Sequence, residues 1–416
     1  MVAHLLKEWF IPYTRTMGNF LTEQYFKNPY PTYEKFLQES PVFWSEELRA
    51  WIVSPYELVE AGLHSTTLNA GERMSAASSH FSEEEKKQYS AILHNLNNWI
   101  VFQDPPSHTR LRRLISKSFT PRTIAAFEPK IEKIVNDLLD EIGDKEKFDL
   151  VSEFSFRLPA AVICDLLGIP LERQWDLKRW ADGVAGFSAA ARVTSEKAEF
   201  ANQMALESKD YLITLFSELR ANPGDNLLSR LVDQSDEAHP LSDDELVALV
   251  VQLFFAGFET TEGLIGNLVI ALANNPEQLA KLRAKPELIE NAVEEALRFD
   301  SSILKQSRVA SEDQDFGGVQ IKKGDYMHFM IAAANHDPAR HSEPDKFDVE
   351  RSDVTHMSFG HGIHFCIGAP LARLEARIAT RALLERLTRI EILEPAPVYP
   401  ELFAVRKPLN LWLKNI

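Results

Sequence analysis

Cysteine is scarce in this sequence. Among 416 residues there are only two, Cys164 and Cys366, and they lie far apart. Two cysteines exclude a disulfide framework and a four-cysteine zinc site, and such sparse use is typical of a reducing cytosol. A chain of this length can bury a large core without covalent cross-links. A cysteine with a chemical role is therefore expected to act alone.

Positive charge is also in deficit. The chain carries 45 Lys and Arg against 61 Asp and Glu, which gives a formal net charge of −16 and a pI near 5.3. An acidic surface repels the phosphate backbone, so the composition argues against a nucleic-acid partner.

Long apolar runs are missing as well. The longest, Leu246 to Gly257, spans about twelve residues and contains Gln252, which is short of the roughly 20 residues of a membrane span. The N-terminus, Met1–Phe10, has neither a long apolar core nor a small-residue cleavage site, so we expect no signal peptide or membrane anchor there. With no repeat and no linker-like tract, the sequence predicts a cytoplasmic protein with one domain over residues 1–416.

Helical periodicity dominates what is present. Apolar spacing predicts helices over 122–142, 156–168, 191–221, 243–274, 276–283, 286–299 and 369–388. Shorter β segments are predicted at 41–53 (a hairpin), 307–310, 316–321 and 326–331, and 408–413 alternates like a strand. Many helices with a few small sheets indicate a mainly α protein.

The helix predicted over 243–274 has an unusual centre. It begins with the capping box of Ser242 and Glu245 and runs to Asn274. Its middle is apolar nearly all round, so it must be buried, yet it contains a glycine, a glutamate and two threonines. Such residues in a buried helix centre indicate a functional site.

A second unusual segment is Phe359–Gly368, which is rich in glycine and is followed by a predicted helix. Cys366 lies just before that helix, where backbone N–H groups favour a thiolate. The residues alone leave three interpretations: a nucleophile, a metal ligand or a buried structural cysteine. The spacing of Cys366 with His356, His361 and His364 matches no tetrahedral zinc pattern. A nucleophile would need a base that the sequence does not identify.

The arrangement F-x-x-G-x-H-x-C-x-G in this segment resembles the haem-binding loop of the cytochrome P450 family. Other family marks follow the same order along nearly the whole chain. They are the E-x-x-R pair Glu295 to Arg298, the oxygen-activation segment Ala256 to Thr261, the region Asp104 to Arg112, and Asn335 to Pro338 with Arg351.

The resemblance implies the cytochrome P450-type fold, with haem b between the long helix and the cysteine loop. Cys366 would be the ligand of the haem iron, and a thiolate ligand favours O–O cleavage. Further residues implied to hold the cofactor are Phe359 and Gly368 in the loop, His108, Arg112, Arg308 and His364 at the propionates, and Ala256 and Gly257 in the long helix. His108 and Arg112 share one helix face at i,i+4.

The resemblance also implies that Thr260 and Glu259 are an acid–alcohol pair that delivers protons to bound oxygen. Glu295 and Arg298 would form a structural network with Arg351. For Cys164 we expect a buried position in a helix.

The implied activity is that of a haem-thiolate monooxygenase. It would insert one oxygen atom of O2 into an apolar small molecule that is lipid-, terpenoid-, steroid- or polyketide-like. No flavin or iron–sulfur motif is present, so a ferredoxin- or flavodoxin-type donor and its reductase would supply electrons to a monomer. The alternatives are a peroxide-driven peroxygenase and a non-catalytic haem-binding protein on the same fold.

Two features lie outside the motifs. The loop after Arg298 lacks the Ser-Pro that many soluble members have, and it contains Lys305, whose role the sequence leaves open. Helical geometry also predicts a basic docking surface for the electron donor on the side away from the haem. Its members would be Arg110, Arg113, Lys117, Arg373 and Arg377.

Overall fold

The computed structural model describes residues 18–79, 81–190, 192–233 and 240–414, so Met1–Phe10 lies outside the described residues. The helices are Glu23–Lys27, Tyr30–Glu39, Tyr56–His64, Arg73–Ala77, Glu83–Gln88, Ser90–Asn97, Ser107–Ser116, Pro121–Ala125, Glu128–Ile142, Arg157–Leu167, Gln174–Ser188, Ser195–Ala221, Leu227–Val232, Asp243–Phe254, Thr260–Asn274, Pro276–Ala284, Ile289–Phe299, Ile331–Ala334 and Ala369–Arg386. Two π-helical segments, Val151–Ser155 and Phe255–Glu259, join or extend them.

The strands are β1 Val42–Ser45, β2 Ala50–Val53, β3 Leu68–Asn69, β4 Lys147–Asp149, β5 Gln306–Ala310, β6 Gln314–Phe316, β7 Val319–Ile321, β8 Tyr326–Phe329 and β9 Trp412–Lys414. Five of them form one sheet in the order β1-β2-β8-β5-β3, in which only β2 and β8 run parallel. The pairs β4-β9 and β6-β7 form two small antiparallel sheets. A mainly α fold with small β-sheets is therefore confirmed.

The central helix, Asp243–Asn274, begins and ends where the sequence predicts. Ser242 accepts from the backbone of Glu245 and the Glu245 side chain accepts from Ser242, so the capping box is formed. Within the described ranges it is the one helix long and apolar enough to cross a membrane, and 78% of its most apolar window is buried inside the protein. That burial makes it the core helix around which the others pack.

Several boundaries differ from the predictions. The helix predicted over 122–142 is two helices, Pro121–Ala125 and Glu128–Ile142, with Pro129 in the first turn of the second. The segment 316–321 contains a turn, because Gly317 and Gly318 take positive φ values of 61° and 83° between β6 and β7. Helix Gln174–Ser188 and the helices before residue 100 were not predicted.

Candidate active site

The central helix widens at Phe255–Glu259, where five residues adopt π-helical geometry. Widening frees backbone carbonyls from their usual i+4 partners. Two threonine hydroxyls replace those partners: Thr260 Oγ1 donates to the carbonyl of Ala256 at 2.8 Å, and Thr261 Oγ1 donates to that of Gly257 at 3.1 Å. The threonines therefore stabilise a local irregularity at the point where the helix borders a cavity.

The cysteine loop, Phe359–Gly368, folds tightly. Gly360 and Gly362 both have a φ of 68°, a conformation that favours glycine, so glycine at these two positions allows the loop to turn sharply. Gly368 instead has an ordinary φ of −82°. The Cys366 N–H donates to the carbonyl of Phe359 at 2.9 Å, which closes the loop on itself.

The Cys366 thiol faces the cavity from this loop. Burial raises its pKa, whereas the backbone N–H groups of Gly368 and Ala369 and the guanidinium of Arg112 lower it. These groups favour a negative sulfur, and a cationic ligand partner would offset the cost of burial. On the outer side, the Arg373 guanidinium lies 4.5 Å from the ring centroid of Phe359, so the ring is fixed next to the loop.

A cavity of about 940 Å³ separates the cysteine loop from the central helix. Ala256, Gly257 and Thr260 line it from the helix, while Cys366, like Phe359 and Gly368, lines it from the loop. Arg112, Arg308 and His364 complete the predicted residues in the lining. His108 and Glu259 are not among the lining residues.

A cationic cluster occupies one side of the cavity. The rings of His108 and His364 lie 4.4 Å apart, and Arg112 Nη2 donates to the carbonyl of Phe365 at 2.7 Å. Arg308 Nη1 donates to the carbonyl of Ser307 at 2.8 Å, but its buried Nη2 has no hydrogen-bond partner. Burial lowers the pKa of Arg308 to about 9 and, together with the neighbouring cations, that of His364 to about 2.

Arg73 belongs to the same cluster, although no sequence motif predicts it. Its side chain lines the cavity, stacks 4.3 Å from the Phe102 ring centroid, and donates from Nη1 to the carbonyl of Ser307 at 3.2 Å. Its buried Nε has no partner. Arg73 lies in the short helix Arg73–Ala77, outside every recognisable motif, so only the fold brings it next to Arg308.

These donors fit a haem. Buried guanidinium groups with unused N–H donors need anions, and a haem carries two propionates. A lone thiol with converging backbone N–H groups fits the iron ligand of a haem-thiolate site. The residues present therefore match the cofactor that the sequence motifs imply.

Glu259 is fully buried and forms an ion pair that the sequence did not predict. Its Oε2 lies 2.5 Å from the ammonium of Lys407, which also contacts Glu262 Oε2 at 3.1 Å. Oε1 of Glu259 has no hydrogen-bond partner. Burial raises the pKa of Glu262 to about 7, with Lys407 opposing that rise. The predicted acid–alcohol pair is thus split between a cavity-lining Thr260 and a carboxylate held behind the helix.

Gly257 lines the cavity and also lies against the helix Arg157–Leu167. A Cβ at this position would lie 2.4 Å from Ile163 Cδ1 and 2.6 Å from its Cγ1, so the Ile163 side chain would have to move to make room for it. The glycine therefore allows the central helix to approach the helix Arg157–Leu167 closely.

The Glu295 and Arg298 network is confirmed. Both side chains are fully buried, with Arg298 Nε and Nη2 donating to the Glu295 carboxylate at 2.8 and 2.9 Å. Arg351 Nε donates to the same carboxylate at 3.0 Å, and Arg298 Nη1 donates to the carbonyl of Asn335. Asn335 Oδ1 in turn accepts from the backbone of Met357 at 2.8 Å, which ties the network to the start of the cysteine loop.

The three histidines near Cys366 point to different neighbours. His356 contacts Glu294, His361 packs on His64, and His364 packs on His108. They do not converge on a common centre with the thiol. Cys164 is buried in a helix, as expected, and burial raises its pKa to about 12.

The predicted basic surface is partly neutralised. Arg110 forms an ion pair with Glu245, Arg373 donates to Glu294 at 2.7 Å, and Arg377 pairs with a third carboxylate, that of Glu290. Neighbouring carboxylates therefore offset part of the charge of these three arginines in the predicted surface. Arg113 and Lys117 are exposed at the end of the helix Ser107–Ser116.

The fold and site together define a haem-thiolate protein, and comparison with known proteins identifies its family. The profile of the family described as "Cytochrome P450" matches residues 187–410. The biotin biosynthesis cytochrome P450 of Bacillus subtilis is 36% identical over 92% of this chain and 95% of its own length. The 6-deoxyerythronolide B hydroxylase of Saccharopolyspora erythraea is 36% identical over 87% and 89% of the two chains. The chain belongs to the cytochrome P450 family.

Solved structures agree. A crystal structure of P450BioI in complex with an acyl carrier protein ligated to hexadec-9Z-enoic acid has a TM-score of 0.88 and 35% identity, covering 94% of this chain and all of that one. The polyketide synthase cytochrome P450 PksS of Bacillus subtilis has a TM-score of 0.85 and 32% identity over 96% and 100%. The protein is accordingly a P450 monooxygenase that incorporates oxygen from O2 into an apolar small molecule.

Proposed function

We propose that Cys366 binds the iron of haem b and that the cavity between it and Thr260 is where oxygen and substrate meet. The observation that carries this proposal is the placement of one thiol and one helix-centre threonine on opposite walls of a single cavity of about 940 Å³. When bound, the haem supplies oxygen activation, in which one atom of O2 enters the substrate and the other leaves as water.

The cationic cluster would position the cofactor. Arg112, Arg308 and His364, which line the cavity, would bind the two propionates, and His108 would support them from beside His364. Arg73, whose Nε has no partner, adds a donor next to Arg308. Phe359 and Gly368 shape the loop around the sulfur, and the network of Glu295 fixes that loop from behind.

The central helix would handle protons. The Thr260 hydroxyl lies at the cavity wall opposite Cys366, where it can bind a water molecule or relay a proton. Glu259 would supply protons from the interior of the protein. To do so, its side chain would break the ion pair with Lys407 and form a hydrogen bond with water instead. The unpartnered Oε1 supports this role, because a buried carboxylate oxygen without a donor is ready to accept one.

Electrons would come from an acidic ferredoxin-type or flavodoxin-type protein with its reductase. Arg113 and Lys117 are exposed on the side of the helix Ser107–Ser116 that faces away from the cavity. Ile363 and Phe365 of the cysteine loop are also exposed. An apolar centre with adjoining cations suits a partner that is acidic at its rim. We further propose that the protein acts in the cytoplasm as a monomer.

The test is turnover of an apolar substrate that gives a spectral shift, with either electrons or peroxide as the driving reagent. We expect product with NADPH and a surrogate ferredoxin and its reductase, and little or none with hydrogen peroxide alone. Equal turnover with peroxide alone would identify a peroxygenase. No product under either condition, with substrate bound, would identify a non-catalytic haem protein.

A further inference from the structure

Lys305 is a half-buried lysine in the wall of the cavity. Its ammonium donates to Ser307 Oγ at 3.0 Å, lies 3.4 Å from His328 Nδ1, and sits 5.1 Å from the ring centroid of Phe403. In the part of the chain that the structure describes, it makes no ion pair with a carboxylate. Withdrawing an ammonium from water without an anionic partner is costly, and among the described residues Lys305 lacks the partner that would offset this cost.

The charges around Lys305 do not supply that partner. Burial and the nearby cation Arg73 lower the pKa of Lys305 to about 7, and both cations help burial to keep the pKa of His328 well below its ordinary value. Asp325, which also lines the cavity, already accepts hydrogen bonds from Trp51 Nε1 and a backbone N–H. The surroundings of Lys305 are therefore electropositive.

The haem propionates do not explain Lys305 either. Arg308 and Arg73 both donate to the carbonyl of Ser307, whereas Lys305 bonds to its side chain. Side chains alternate along a strand, so Ser307 Oγ and the Arg308 side chain lie on opposite faces of β5. His328 pairs directly opposite Ser307 on β8. The ammonium of Lys305 is thus on the other face of the strand from the Arg308 side chain.

Both faces border the cavity because β5 is open at this point. The neighbouring strand β3 pairs only with Val309 and Ala310, so the first half of β5 has no strand on that side. The same cavity is also lined by the apolar side chains of Phe187, Leu253, Phe255, Ile303 and Val405. Within the described ranges, Lys305 is therefore a cation without an anionic partner in a cavity with mainly apolar walls.

We propose that Lys305 binds the carboxylate of an apolar substrate and thereby selects monocarboxylic acids with a hydrocarbon body. A lysine ammonium has three donors; Ser307 uses one and His328 Nδ1 lies near a second, so at least one remains for a carboxylate oxygen. A single ammonium matches a single negative charge, and Phe403 stabilises the cation from its ring face. Lys305 is a positioning residue, and the proposal rests on the proposed function because it assigns the substrate class of the same cavity.

The experiment compares dodecanoic acid, dodecan-1-ol, methyl dodecanoate and dodecyl phosphate as ligands of the holoenzyme. Binding is measured by the spectral shift of the haem and independently by calorimetry, at neutral pH and fixed salt. The variants are Lys305→Met, which keeps the length but removes the charge, Lys305→Arg, and the exposed control Lys133→Met.

We expect wild type and Lys133→Met to bind the acid about tenfold or more tighter than the alcohol and the ester, the size of a charge-assisted hydrogen bond. Lys305→Met should lose that preference while it binds the alcohol as before, and Lys305→Arg should keep part of it. An acid that binds no tighter than the alcohol in wild type, a preference that survives in Lys305→Met, or tighter binding of the phosphate would each overturn the proposal.

Folding and the proposed function are checked separately. If Lys305→Met fails to incorporate haem, the wild-type comparison of acid with alcohol and the Lys305→Arg variant still decide the question. A wild-type protein that lacks thiolate ligation would refute the proposed function, whatever its ligand preference. A protein with normal thiolate ligation but no preference for the acid would refute only the role of Lys305.

Discussion

Thr260 shows how one hydroxyl can serve the fold and the chemistry together. Its Oγ1 donates to the carbonyl of Ala256 at 2.8 Å in the π-helical segment, and the side chain also lines the cavity. A threonine that bonds back to the i−4 carbonyl is common in helices and does not by itself indicate catalysis. The position opposite Cys366 is what distinguishes this one.

For Thr260→Ala we expect unchanged haem content and substrate affinity, but electrons diverted from product into peroxide. The reason is that, without the Thr260 hydroxyl, protons would no longer be directed to the correct oxygen atom. The measurement is the ratio of product formed to NADPH consumed, with peroxide assayed in parallel. Thr380→Ala is the control, because Thr380 makes the same back-bond to Ala376 in another buried helix. Coupling equal to that of wild type would remove Thr260 from the mechanism.

Single residues also show what a sequence can and cannot reveal. Cys366 and its glycines lie in one continuous segment, so their spacing was enough to recognise the resemblance to a haem-binding loop. Arg73, Lys407 and the isolation of Lys305 depend on segments far apart in the chain that only the fold brings together. No local pattern carries that information.

At the scale of elements, the central helix was predictable because its signals are local. Its capping box and its apolar stretch fix both ends. Helix Glu83–Gln88 begins with the same kind of capping box, Ser82 with Glu85, and this local signal could have predicted the start of the helix. Helix Gln174–Ser188 has no side-chain cap. Its Trp180 is buried by contacts with other parts of the fold, which the local sequence does not reveal. The π-helical widening at Phe255–Glu259 left no sequence signal beyond the unusual residues themselves.

Lys407 anchors the central helix to the C-terminal part of the chain through Glu259 and Glu262. Lys407→Met would leave two buried carboxylates without their cation, so we expect a loss of about 3–5 kcal/mol in the free energy of unfolding. The measurement is urea denaturation followed by circular dichroism. Lys414→Met, an exposed lysine on β9, is the control and should change stability little. A loss for Lys407→Met as small as that of the control would show that the ion pairs contribute nothing.

At the scale of the whole molecule, the proposed acidic electron donor would have to approach a protein that is itself acidic. The net charge is −16, so attraction has to come from a local patch. Arg113 and Lys117 are the two members of the predicted surface whose side chains are exposed, so the prediction is tested at these two positions.

Replacing both by glutamate should slow reduction by a ferredoxin about tenfold or more at low salt, because steering is lost. Reduction by dithionite should be unaffected, and the difference should shrink as salt screens the patch. The control is Lys322→Glu with Lys323→Glu, which makes the same change in net charge near the β6–β7 hairpin. Equal slowing by both pairs would indicate a general charge effect, and no slowing by either would place docking elsewhere.

Cys366 is proposed to ligate a haem as a thiolate beneath the central helix. The absorption spectrum of the ferrous–CO complex in freshly purified holoenzyme distinguishes this ligation from any other. The wild type should show the long-wavelength Soret band that distinguishes thiolate-ligated haem from haem with a neutral ligand, and Cys366→His should lose that band while it still binds haem. A wild-type spectrum with only the shorter-wavelength band, or a Cys366→His spectrum that retains the long-wavelength one, would contradict the assignment.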